Sequence, residues 1–439
     1  MVLNLKITYL YIIMKRARNN NKDTWYPTLL QANNQLETNS WFDIKEYTNT
    51  INPNILVEKP LSINYLKTFK YQIYPNESQK IKLDNWFNKS IDVYNLTNSF
   101  LKQMLDGLDL KDSNIIDPLV NFQWVRKQVY PIVSKISRDY SINKHCLDMS
   151  TKHCVTMYKS AISNFKNGYI KEFKIGNLSY SSRRRNLGIE KGMVKKNNGF
   201  CVRDFGEMKS DIQLKTVITR DSIVQYDNFT KKYYIITPRD KQRCIVVSKE
   251  PLCGIDIGVR TFATVYSHNK CYEIGTDLAR KKIDKYLSRI DKIKSHLDQN
   301  LITETTANKA RLKYSDSMSN RITDLHNKIG SFLLSRYDII NIGKVSIKKM
   351  ISNLDSNLQD ITKRRLVTLS HFRFRERLKL MAKGLCGKIN EIDEYMTSRT
   401  CCKCSNIKND LGANKIYECI SCKLKIDRDI NASINIYTL

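Results

Sequence analysis

Acidic residues are scarce in this 439-residue chain: 43 Asp and Glu stand against 74 Lys and Arg, a formal net charge of +31. Solubility alone does not call for so large an excess. It points to a polyanionic partner held through many phosphate contacts, most simply nucleic acid. A long apolar run is also missing. The longest apolar stretch near the start, ITYLYIIM at 7–14, is too short to cross a bilayer. KRAR at 15–18 follows it where a small-residue cleavage site would stand, so no secretory signal is read there. A start at Met14 would leave a basic, Asn-rich tail. Without a secretory signal the twelve cysteines do not read as a disulfide scaffold. The chain is expected inside a cell, in nucleus or cytoplasm, with neither a membrane nor a small-molecule substrate as its partner.

This length allows two or three domains and a substantial core. No internal repeat is visible. Residues 15–60 are polar and weakly periodic, and read as a loosely attached tail. Order is expected to begin with the alternation of Phe69, Tyr71 and Ile73, closed by Pro75. Asn76 and Gln79 have the spacing of a capping box. Behind them Leu83, Phe87, Ile91, Tyr94, Leu101 and Leu105 follow helical spacing, and helical character runs to about Phe165. Strand-like runs return over 170–250, such as KYYIIT at 232–237. The same stretch holds YSSRRRNLGIEKGMVKK at 180–196. There Arg183, Arg184 and Arg185 can track phosphates and Tyr180 can stack on a base, unless the segment is a solvated loop. After 250 a hairpin at 252–266 leads to two long helices, a strand at the start of IINIGKVSIKKM (339–350) and more helix to about 385. Such strand–helix alternation suits an α/β core.

Near the carboxyl end, Cys401 and Cys404 form one CxxC pair and Cys419 and Cys422 another, fourteen residues apart. Each pair sits on a tight turn that points two sulfurs at one ion, and four thiolates complete a closed, structural Zn²⁺ site. The polar residues between are too few to fold by burial, so metal binding is expected to fold them. Cys402 is an extra thiol outside this set. The His–Cys pairs at 145–146 and 153–154 lie in a helical region, where packing explains them.

Two stretches carry acids in revealing places. In GIDIGVR (254–260), Ile255 and Ile257 flank Asp256, whose carboxylate must face the other side of the strand. A charge in so apolar a strand is costly unless compensated. A divalent cation would compensate it, and so would a Lys or Arg at the strand end; Gly258 leaves room for a phosphate backbone. DRDINASINI (427–436) opens a short helix whose small residues permit close packing on a sheet. Asp429 is the preferred ligand there, Asp427 the alternative, and either can serve as a helix cap. Two Mg²⁺ ions held by a few carboxylates can activate water for phosphodiester cleavage. Such a site needs a third acid, and the strand in IINIGKVSIKKM has none.

GIDIGVRTFATVY, the strand ending in KVSIKKM, TSRTCCKC, a second CxxC and DRDINASINI resemble, in this order, the TnpB transposon nucleases and their eukaryotic and viral Fanzor relatives. KYQIYPNESQ and DLHNKIGSFLLSRYDIINI extend the resemblance to about residues 65–439. It implies an α/β multidomain protein with a RuvC-like, RNase H-type nuclease over 251–400 and 423–439 and a zinc ribbon over 401–422. It further implies an OB-like β-barrel wedge over 61–75 and 170–250, a helical recognition domain over 76–169, and a basic tail over 1–60. The implied activity is RNA-guided cleavage of double-stranded DNA, with a guide RNA from its own locus and two catalytic Mg²⁺ beside one structural zinc. In TnpB a glutamate usually stands seven residues before the Met of KKM; that position is Gly343. In the Fanzor branch the glutamate lies just before the TS-x-TC segment, and Glu394 stands there, three residues ahead of Thr397. Glu391 and Asp393 are nearby competitors. Asp256, Glu394 and Asp429 are thus the implied catalytic set. The alternatives are a guided binder that no longer cuts and a transposase that joins DNA ends.

Overall fold

The computed structural model describes residues 34–39, 41–48, 59–194, 199–247, 250–268, 270–344, 347–352, 358–383, 387–412 and 414–439. Met14 and KRAR lie outside them. No described helix is long and apolar enough to cross a membrane. The chain divides into two compact units, one of residues 65–241 and one joining 1–64 to 242–439.

The first departure from the sequence reading comes early. Within the supposed tail, β1 (Asn34–Asn39) and β2 (Phe42–Thr48) form an antiparallel pair. β2 buries Phe42, Ile44 and Glu46 on one side and pairs with a strand at 270–276. Residues 34–48 therefore belong to a sheet and not to a loose tail.

In the unit of residues 65–241, a five-stranded sheet runs β4-β6-β7-β3-β5. Its strands are β3 (Lys59–Tyr74), β4 (Arg184–Ile189), β5 (Lys209–Ser210), β6 (Ser222–Asp227) and β7 (Lys232–Val247). Between β3 and β4 in the chain come α1 (Glu77–Leu105), α2 (Ser113–Leu119), α3 (Phe122–Asp139) and α4 (Lys144–Lys166). Helix α1 opens on a reciprocal capping box: Gln79 N–H donates to Asn76 Oδ1 at 2.9 Å and Asn76 N–H to Gln79 Oε1 at 2.9 Å. All six apolar residues at helical spacing on α1 are buried. Leu83 and Phe87 share a core with Leu187, Ile189, Val224 and Ile235 of the sheet.

The other unit is built on a seven-stranded sheet of order β1-β2-β10-β9-β8-β11-β12. β8 (Glu250–Ile257), β9 (Thr261–Ser267) and β10 (Lys270–Thr276) form an antiparallel meander. Helices α5 (Asp284–Asp298) and α6 (Glu304–Leu334) follow, and β11 (Tyr337–Gly343) then joins β8 in parallel. After α7 (Asp360–Leu369) and α8 (His371–Lys383), β12 (Lys388–Ile392) adds a second parallel edge. Counted from β8 to β12, the strand order is 3-2-1-4-5. On one face Cys253, Ile255 and Ile257 pack with Leu287, Ile322, Leu325, Ile329, Phe374 and Leu378. The other face receives a short hairpin of β13 (Ile416–Glu418) and β14 (Lys425–Asp427), then α9 (Arg428–Tyr437). Helix α9 comes so close to β8 that a Cβ on Gly254 would stand 2.3 Å from Tyr437 N and 2.4 Å from Ser433 O. Only glycine fits there. At Gly258, read as room for a phosphate, a Cβ would stand 3.0 Å from the Thr261 carbonyl oxygen of its own turn.

Candidate active site and metal centre

Asp256 is next to last in β8, on the face that α9 covers. Ile255 and Ile342 are register partners, so Asp256 and Gly343 follow one step further along their strands. Gly343 in turn pairs with Ile392 of β12, and Glu394 lies two residues beyond. There the chain turns back: Thr397 N–H and Oγ1 both donate to the Glu394 carbonyl, at 3.1 and 3.0 Å. The Glu394 side chain thereby folds over Gly343. A Cβ at position 343 would stand 1.7 Å from Glu394 Oε1 and 2.4 Å from its Cδ. The carboxylate fills the space that a side chain on β11 would have used, on the face shared with Asp256.

Helix α9 brings the third acid. Asp427 caps it, Oδ1 accepting N–H donors from Asp429 at 2.8 Å and Ile430 at 3.3 Å. Oδ2 of Asp427 is 3.4 Å from Lys415 Nζ. Both Asp427 oxygens are thus occupied, whereas the Asp429 side chain caps nothing. Glu391 is held by Arg375 Nε and Lys379 Nζ, each at 3.1 Å, and Asp393 Oδ1 accepts the Tyr395 N–H at 3.1 Å. The competitors have local partners. Glu394 Oε1 is buried and has no hydrogen-bond partner.

Asp256 feels the other two acids. Burial, then the charges of Asp429 and Glu394, push the Asp256 carboxyl well above its ordinary value. Burial raises Glu394 to about 7, with Asp393 adding and Arg375 opposing. Burial and Asp427 raise Asp429 to about 6, against Arg428 and Arg260. An orphaned buried oxygen on Glu394, near buried carboxylates whose charged forms are disfavoured, suits a divalent cation, which would favour those charged forms. The acids are not gathered as tightly as a single-ion cluster. Among the described residues, only the four cysteines bring three or more His, Cys, Asp or Glu ligand atoms within 4.8 Å of one another.

A pH effect on stability follows. Without a divalent cation, folded Glu394 keeps its proton to about pH 7, while the unfolded chain releases it in the ordinary range. Its folded value is raised, so its contribution is present at low pH and lost as pH rises through about 7. Glu394→Gln removes that loss. The variant is expected to exceed wild type in urea midpoint at pH 8 and to lose most of the advantage at pH 5, with no divalent cation added.

The zinc prediction meets a matching geometry. Cys401 Sγ is 3.6 Å from Cys422 Sγ, and Cys404 Sγ is 3.5 Å from Cys419 Sγ. Four sulfurs bound at about 2.3 Å in a tetrahedron stand about 3.8 Å apart. The cluster is consistent with one structural zinc. Backbone N–H groups of Lys403 and Cys404 turn toward Cys401. At Cys419 burial works upward, but N–H donors of Cys422 and Ser421 and the neighbouring Cys404 outweigh it and bring the thiol down to about 7. Cys402 is buried outside the cluster. The ribbon is tied to α9 by asparagines. Asn431 Oδ1 accepts the Cys402 N–H at 2.9 Å and its Nδ2 donates to Thr400 O at 2.8 Å; Asn435 Nδ2 donates to the Thr397 and Thr400 carbonyls.

The basic stretch on the other unit is only partly as expected. Arg185 is buried, not phosphate-facing: it meets Asp84 at 2.5 Å and Asn88 at 2.9 Å and lies over Tyr226. Position 185 shares the inward side of β4 with Leu187 and Ile189, a two-residue period that the RRR run concealed. Arg183 pairs with Asp227 at 3.5 Å and lies over Phe229. Arg184 is exposed, 3.9 Å from the same aspartate. The Tyr180 ring is exposed and its hydroxyl donates to Asp92.

Known proteins match this sequence. Residues 246–354 match the OrfB_IS605 family, described as a probable transposase, and residues 371–436 match the Cas12f1-like TNB domain. Two TnpB-like proteins of Acanthamoeba polyphaga mimivirus are each 33% identical over 447 residues, covering 94% of this chain and 84% and 85% of theirs. A solved structure described as the mini-RNA-guided endonuclease CRISPR-Cas phi3 covers 89% of this chain and 94% of its own, at 9% identity and a TM-score of 0.43. On the identity and coverage of its viral relatives, the chain belongs to the TnpB-like proteins of the OrfB_IS605 transposase family, with a Cas12f1-like TNB domain at its carboxyl end.

Proposed function

We propose that the protein is an RNA-guided, divalent-metal-dependent DNA endonuclease with a RuvC-like site made of Asp256, Glu394 and Asp429. The observation that carries this reading is the Glu394 carboxylate lying where a side chain at Gly343 would be. In the Fanzor branch that glutamate comes from the downstream segment, and this geometry supports the same exchange here. The reading gives residues 61–75 and 170–250 to the wedge and 76–169 to a helical recognition domain. Guide RNA and double-stranded DNA are the polyanions that the +31 charge answers.

Bound at these acids, two Mg²⁺ ions would supply the positive charge that activates water and stabilises the leaving oxygen. The chain's own groups set the geometry. Thr397 fixes the turn that aims Glu394, the Asp427 cap fixes the first turn of α9 and with it Asp429, and α9 packs on Gly254 two residues before Asp256.

The test is to express the chain with its native flanking locus, recover the RNA that co-purifies, and assay Mg²⁺-dependent cleavage of a matching DNA. Guided cutting upholds the reading. Binding without cutting would make the chain a guided binder, and joining of ends a transposase. A sharper consequence concerns Gly343→Ala. The new methyl displaces the end of a flexible side chain, so the stability loss is expected to be small, about 1–3 kcal/mol. Cleavage should suffer far more, because Glu394 is evicted. Denaturation and cleavage measured on one preparation check the contrast.

A further inference from the structure

We propose that Lys415 and Glu273 are positioning residues for Asp429, acting through the Asp427 cap; the inference rests on the carboxylate reading above. Across the sheet, Asp256 pairs with Thr264, Thr264 with Glu273, and Glu273 with Lys45. One row therefore runs from the candidate site to the amino-terminal strand β2, with all four side chains on the face that α9 covers. Glu273 is buried in that row. Its Oε2 accepts the Tyr47 hydroxyl at 3.2 Å and stands 4.0 Å from Lys45 Nζ. Its Oε1 is 4.0 Å from Lys415 Nζ, which is also 3.4 Å from Asp427 Oδ2.

Lys415 thus stands between two buried carboxylates that would otherwise repel each other. It also grips α9 through its main chain, its carbonyl accepting the Arg428 N–H at 2.7 Å. Without the ammonium group, Asp427 faces Glu273 uncompensated and is pushed away from the Asp429 and Ile430 amides that it caps. The first turn of α9 then loosens, and Asp429 is in that turn. Lys415 lies just before β13, inside the zinc ribbon, and Lys45 and Tyr47 lie on β2. The ribbon and the amino-terminal hairpin consequently converge on the aim of one carboxylate. Neither Lys415 nor Glu273 need touch substrate or metal for this.

Hydrogen exchange over residues 427–432, zinc content and the Mg²⁺ dependence of cleavage, measured on the full chain, test the proposal. Lys415→Ala is expected to speed exchange of the Asp429 and Ile430 amides, and adding Glu273→Gln to it, which removes the uncompensated charge facing Asp427, is expected to slow that exchange again. Lys415→Ala should raise the Mg²⁺ needed for half-maximal cleavage by about 10- to 100-fold, and the added Glu273→Gln should bring it back toward the wild-type value. Zinc should stay at one per chain, and Lys415→Arg should restore both readouts. Unchanged exchange overturns the proposal, as does faster exchange with an unmoved Mg²⁺ dependence. Zinc loss in Lys415→Ala that arginine does not rescue also overturns it, because the lysine would then only hold the ribbon together. Should the wild type not cut, the carboxylate reading falls, and the exchange comparison still decides whether this pair holds the cap.

Discussion

Asp256→Asn is expected to abolish guided cleavage, by at least about a hundredfold, with target binding unchanged. Removing a partner that merely orients a metal ligand costs about 10- to 100-fold, and a ligand should cost no less. The exchange swaps one oxygen for an NH₂ group and leaves the packing of Ile255 and Ile257 alone. Loss of a negative charge gives no reason for weaker DNA binding. The fold should not suffer either, because burial and then the charges of Asp429 and Glu394 already disfavour an ionised Asp256. Single-turnover cleavage beside a binding titration reads both halves. Cutting at the wild-type rate would remove Asp256 from the catalytic set.

Zinc removal is expected to have the largest effect on structure. Metal binding is worth about 10–16 kcal/mol in small zinc modules. The ribbon's own buried apolar residues are few, Tyr417, Leu411 and the cysteines, and they share a cluster with Tyr266 of the sheet and Ile430 and Ile434 of α9. Losing the ion would release the Thr397–Cys402 segment from its hydrogen bonds to Asn431 and Asn435. Glu394, held by Thr397, would lose its aim as well. Cys401→Ser or a strong chelator should therefore lower bound zinc, melting temperature and cleavage together, while Cys402→Ser keeps zinc at one per chain. Metal analysis with thiol titration measures this directly. Full zinc loading in Cys401→Ser would contradict the four-cysteine assignment.

Much of the candidate site was legible because the segments that carry it are local. The CxxC spacing, the apolar neighbours of Asp256 and the small residues of α9 all belong to short segments. The amino-terminal hairpin was hidden by its own polarity. Of the inward residues Phe42, Ile44 and Glu46, the third is charged, and its partner Lys270, 2.7 Å away, is remote in sequence. Asp427 and Asp429 differ only in which oxygen finds an amide, and helix geometry decides that. For Glu394, resemblance supplied the candidate position, and its side chain occupies the space that a Cβ at Gly343, on the strand beside that of Asp256, would take.

One comparison decides whether the acid missing from IINIGKVSIKKM stands on the segment after β12. It is Mg²⁺-dependent cleavage of a matched DNA by wild type and Glu394→Gln at equal target binding. Cutting by wild type and none by the variant is the expected result, with Glu394 serving in place of a side chain at Gly343. Equal cutting by both would contradict it and send the third ligand back to Glu391, Asp393 or Asp427.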